Sequence, residues 1–118
     1  MEIPGAIMAF SQSEKIKAGI IWISSSLGMI SGLDPSEKRG AEKSVRLTLG
    51  MLSHEIRLAE TVAPLSQWKE ISHIMDQVMV MFDSGVGGDS IYHLTQALSR
   101  VTGIAQNAMS LLRENGLL

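Results

Sequence analysis

The sequence predicts an all-α protein: an up-and-down antiparallel four-helix bundle, paired as a homodimer. Three observations carry this expectation. Apolar residues recur at spacings of 3 and 4 along most of the chain, and no window alternates with the period of 2 that marks a strand. Short breaks containing Pro, Gly and Asp separate the helical patterns, and short connections favour antiparallel neighbours. Finally, the helix over residues 35–62 carries two apolar faces, where a surface helix needs one.

Composition sets the frame. A chain of 118 residues holds one domain with a real core, burying roughly two-thirds of its unfolded surface. Hydrophobic content of 45% against 19% charged residues excludes a disordered chain. Eight Met outnumber two Trp, two Phe and one Tyr, which points to an aliphatic and thioether core. A net charge of −2 speaks against nucleic acid as a partner, because phosphate contacts need clustered positive charge. With no cysteine, disulfides, Cys-ligated zinc, iron–sulfur clusters and thiol catalysis are excluded.

Residues 1–12 (MEIPGAIMAFSQ) read as an apolar arm broken by Pro4 and Gly5, ahead of a single helical domain over 13–116. Helix 1 is expected over about 13–31, capped by Ser11 or Ser13 and ending before Gly32. Its main stripe is Ile16, Ile20, Ile23, Leu27 and Ile30, while Ala18, Trp22 and Met29 lie on another side. Ser24, Gly28 and Gly32 recur every four residues, a spacing that admits a close neighbouring backbone. Ala18 to Leu33 carries no charge and follows Lys15 and Lys17. At 16 residues, with four Ser and three Gly, it falls short of the roughly 20 apolar residues that span a bilayer, and 17 residues precede it, too many for a signal n-region. A buried helix in a cytoplasmic protein is the expectation, with no membrane partner.

Helix 2, over 35–62, has the sharpest start. Asp34 suits the N-cap, Pro35 the first turn, and Glu37 both a capping box and the positive end of the dipole. Val45, Leu49, Leu52, Ile56, Ala59 and Ala63 form its main stripe. Leu47, Met51, Leu58 and Val62 project from roughly the opposite face, at about 100° of rotation per residue. Pro64 ends the helix. Helix 3, over 65–83, places Trp68, Ile71, Met75, Val78 and Phe82 on one face. Gly85-Val86-Gly87-Gly88 leads to Asp89, the expected N-cap of helix 4 over 89–114. Leu94, Leu98, Val101, Ala105, Ala108 and Leu112 form that helix's stripe. Its polar back (Tyr92, Gln96, Arg100, Asn107) predicts an outermost position.

No set of residues assembles a catalytic, cofactor or metal site. Glu70-Ile71-Ser72-His73 has the Glu-x-x-His spacing of di-iron bundles, but those need two such motifs and further inward glutamates. His73 lies about 170° from the centre of helix 3's stripe and should face solvent. His54 and His73 sit at similar heights about Pro64, while His93 falls about a third of a helix away, so a three-histidine site is not expected. Glu55, Glu60, Asp76 and Asp83 flank the stripes without a paired motif for Mg²⁺. Residues 84–89 resemble a phosphate loop only in their glycines: they follow a helix and lack the Lys-Ser/Thr ending. The methionines at 51, 75, 79 and 81 suit an ordinary core, although Met can also line peptide grooves.

Two features remain. Leu47, Met51, His54, Leu58 and Val62, with Trp22, make the candidate interface, where His54 can respond to pH near neutrality. Arg39, Lys43, Arg46 and Arg57 form a basic strip between the two apolar faces of helix 2. The expected function is therefore protein–protein association by a non-enzymatic module, homodimeric and open to a further protein partner. The alternative is a bundle that binds a small molecule or metal at a site shared between subunits.

Overall fold

A computed structural model describes residues 1–118. It is all-helical: α1 (Ile3–Ile30), α2 (Pro35–Val62), α3 (Gln67–Asp83) and α4 (Ile91–Glu114), with a short 3₁₀ turn, Gly87–Ser90, before α4. The helices pack in a ring, α1 on α2, α2 on α3, α3 on α4 and α4 back on α1. Consecutive helices reverse direction, so every adjacent pair is antiparallel. The result is a rod of 52 × 21 × 19 Å. Its length reflects the 28 residues of α1 and α2, each about 42 Å at 1.5 Å per residue.

α1 begins earlier than its sequence suggests. The segment read as an arm forms the first turns of the helix from Ile3. Pro4 falls in the first turn, where the missing N–H has no intrahelical partner to lose, so the proline starts the helix. Ala6 and Ala9 are fully buried, which anchors this end to the core. α2 starts where its cap requires: Asp34 Oδ1 accepts from the backbone N–H groups of Ser36 (3.1 Å) and Glu37 (3.0 Å). The bond from Glu37's N–H, then those from Ser36, hold the Asp34 carboxyl below its ordinary range. At the far end of α3, Gly85 turns the chain with φ +79°, a conformation that a Cβ would strain.

The start of α4 also differs from expectation. Asp89 lies inside the 3₁₀ turn, and the residue before the helix is Ser90. Ser90 is buried and donates from Oγ to the Gly87 carbonyl at 2.6 Å, tightening the turn. Gly87 packs on the ring of Phe82, where a Cβ would meet ring carbons at 2.7–2.8 Å. Only glycine fits there without displacing the ring. α4 itself is not outermost. It has two neighbours like every other helix, and its contact with α1 is the most extensive in the molecule.

One continuous core of 25 residues draws on all four helices, with Ile16, Ile20, Leu49, Ile56, Ile71, Met75, Leu94 and Val101 among its sealed members. Full burial of each such side chain is worth about 1.5–3 kcal/mol before conformational entropy is charged. At Gly19 of α1 a side chain of α2 packs close: a Cβ there would reach Leu52 Cδ1 at 2.8 Å. Gly28, by contrast, has nothing within 4 Å of its Cβ position, so the Ser24-Gly28-Gly32 spacing marks no close approach. At the α1–α2 seam, buried Gln12 donates to Glu55 twice, to its carbonyl at 3.3 Å and its carboxylate at 3.2 Å. Lys15 pairs with the same carboxylate at 3.2 Å. The Gln12 bond first, then Lys15, lowers the Glu55 carboxyl's pKa. No helix is long and apolar enough to cross a membrane.

Candidate interaction face

The two stripes of α2 separate cleanly. Val45, Leu49, Leu52, Ile56, Ala59 and Ala63 are all buried, which accounts for the main stripe. Nothing within the chain covers the second. Leu47 is 73% exposed, Met51 71% and Leu58 42%. Val62 is half-buried and His54 is exposed beside them. Packing explains the division: α2 meets α1 through Gly19, Gln12 and Lys15 on one flank. It meets α3 on the other through Arg46–Asp83 and the Ser53–Met79 hydrogen bond. The face between these flanks, opposite the core, has no neighbour.

α1 extends the same surface. Trp22 is 68% exposed and Met29 78%, with Met8 also exposed. By 100° per residue all three lie on the outer side of α1 toward α2. Leu33, Ala41, Ser44 and Val45 join Ser26, Met29 and Ile30 around an open groove of about 360 Å³ at the seam. Trp22, Met29, Leu47, Met51 and Leu58 thus belong to one two-helix face, which sequence periodicity had divided between two helices. The surplus of α1 does not absorb that of α2; both are exposed side by side.

The basic strip borders this face on the α3 side. Arg46 is drawn out of it by a two-point ion pair, Nε to Asp83 Oδ1 at 2.7 Å and Nη2 to Oδ2 at 3.2 Å. This pair holds the Asp83 carboxyl below its ordinary range. Arg39, Lys43 and Arg57 make no ion pair. Arg39, Lys43 and Arg46 line a groove of about 500 Å³ with Glu42, Leu47, Phe82 and Asp83, so two carboxylates offset three cations there. The strip is a mixed-charge rim and not a cationic cradle.

Among the histidines, only the nearness of His93 to His73 differs from expectation. His73 is exposed, yet it lines one open groove with His93, Asp76, Gln77, Val80 and Met81. The reason is the height at which α3 and α4 meet. Glu70 pairs with Arg100 at 2.7 Å, and from that pair His73 and His93 are offset by four residues, about 6 Å along the axis. Two imidazoles can share a groove across that distance. His93 Nδ1 is buried there without a hydrogen-bond partner. His54 lies elsewhere, and no three His, Asp or Glu side chains are arranged to hold a metal ion. Compared with models of protein families, with curated proteins and with solved structures, the chain matches none.

Proposed function

We propose that this chain is a non-enzymatic helical module, at work in the cytoplasm, that associates through the α1/α2 face with a second copy of itself. The carrying observation is the exposure of five large apolar side chains, Trp22, Met29, Leu47, Met51 and Leu58, on two adjacent helices. From Met8 to Met29 the face is about 30 Å long, and two helices about 10 Å across make it about 20 Å wide. That is about 600 Å² per copy, or about 1,200 Å² in a pair, the lower end of the range for specific stable interfaces. Exposed apolar clusters rimmed by polar residues mark interaction sites. A twofold pairing lays the same patch of each copy on the other, so the surface needs no second kind of partner to be covered.

Solution mass tests the proposal. Light scattering at tens of micromolar should give twice 12.8 kDa. Leu47→Glu and Met51→Glu should return the mass to 12.8 kDa with helicity intact, because both side chains are more than two-thirds exposed within the monomer. A wild-type monomer, unchanged by either substitution, overturns the reading.

A further inference from the structure

We propose that the second copy seats with its α1 against α2 of the first, the twofold axis running parallel to the bundle along the α1–α2 seam. This rests on the association described above and specifies its geometry. Its first support is the match of sizes along the two helices. Gln12 and Lys15 reach Glu55, Gly19 meets Leu52, and Ser26 to Ile30 share a groove with Ala41 to Val45. Residues of α1 and α2 whose numbers add to about 70 therefore stand at one height, antiparallel helices rising equally per residue. On α2 the protruding Leu58 and Met51 stand at the heights of Ser11 and Ala18 on the outer side of α1, and Leu47 at the height of Trp22. On α1 the protruding Trp22 and Met29 stand at the heights of Leu47 to Thr48 and of Gly40 on α2.

A twofold axis parallel to the bundle keeps every height and exchanges α1 for α2. Three large side chains of one copy then meet small ones of the other, Leu58 over the partner's Ser11, Met51 over the partner's Ala18 and Met29 over the partner's Gly40, while Trp22 lies against the partner's Leu47. Charge is the second support. In this seating Arg57, unpaired within its own chain, comes to the height of the partner's Glu14, whose only ion pair is with Lys17 of its own helix. A face-to-face pair about an axis perpendicular to the bundle would instead set α2 against α2. Centred on the apolar stripe, Leu47 to Val62, that brings Arg57 to the height of the partner's Leu52 and away from the partner's Glu14. Complementary rims fix the orientation of a pair.

The chain has no cysteine, so each introduced thiol is unique. Trp22→Cys protein mixed with Leu47→Cys protein and oxidised should form a disulfide between unlike chains. Met51→Cys alone should not cross-link to itself. Independently, Arg57→Glu should weaken dimerisation roughly threefold to tenfold at low salt, and adding Glu14→Arg should restore it. A dimer by mass in which Met51→Cys joins to itself, or in which the charge exchange fails to rescue, overturns this seating and leaves the association standing. A monomer by mass overturns both.

Discussion

Trp68 offers the sharpest test of how the core is built. Its side chain is fully buried at the start of α3, yet the indole Nε1–H has no hydrogen-bond partner. Two terms oppose when it is replaced by Phe. The larger ring removes roughly 50 Å² more from water, worth about 1.3 kcal/mol at 25 cal/mol per Å². Against this, an unpartnered buried N–H costs about 1–3 kcal/mol, and Phe removes that cost entirely. The cavity that the smaller ring leaves costs about 1 kcal/mol more at roughly 24 cal/mol per Å³, so the terms nearly cancel and Trp68→Phe should lie within about 1 kcal/mol of wild type. Trp68→Ala has no such compensation and should lose about 3–5 kcal/mol. With an unfolding entropy of about 2.1 cal/mol/K per residue, 1 kcal/mol moves the melting temperature of a chain this size by about 4 °C. Circular dichroism during urea and thermal unfolding should therefore place the Phe variant within about 4 °C of wild type. The Ala variant should melt at least about 12 °C lower. A Phe variant more than 2 kcal/mol below wild type would refute the reasoning, because it would mean that the indole N–H is satisfied in solution.

The remaining expectations are of the same kind. Gly40→Ala and Gly103→Ala, with no atom within 4 Å of the new methyl group, should each stabilise by about 0.5–1 kcal/mol in urea midpoints. Gly87→Ala should lose about 1–3 kcal/mol, since Phe82 leaves it no room, and a neutral result would show that the ring moves aside freely. The Asp34, Glu55 and Asp83 carboxyls all lie below their ordinary values when folded. Their contribution is present above the unfolded carboxylate values, roughly pH 4–5, and is lost as pH falls through the lower folded ones. Acid titration of stability should thus be flat near neutrality and fall below about pH 4. Arg46→Gln should flatten part of that fall; an unchanged curve would show that the pair with Asp83 contributes nothing.

What could be read from the sequence was what depends on short stretches of chain. The buried stripe of α2 follows from apolar spacing alone, and its start from Asp34-Pro35-Ser36-Glu37, whose bonds span three residues. The exposed second stripe was equally legible, because periodicity needs no knowledge of neighbours. Its relation to Trp22 and Met29 was not, since that requires the height and side on which α1 meets α2. The same holds for Arg46 and Asp83, 37 residues apart, and for His73 and His93, brought to one groove only by the way α3 lies on α4. The start of α1 was misread for a different reason. Pro4 and Gly5 are breakers inside a helix, but Pro4 lies in the first turn, and buried Ala6 and Ala9 show that packing holds this end.

Gln12 has a consequence for which of several similar structures the chain adopts. The buried line of α1 from Ile16 to Ile30 is made almost wholly of Ile and Leu, so sliding the helix by one turn against α2 would still bury apolar surface. Hydrophobic contact alone distinguishes such slipped arrangements poorly. In a slipped arrangement, however, the Gln12 amide would lose both its bonds to Glu55 and stay buried without them. Gln12 thus acts as a second notch on the shaft, beside Gly19, where Leu52 leaves no room for a Cβ. It adds little attraction of its own, but it penalises the alternatives and leaves one alignment of α1 and α2.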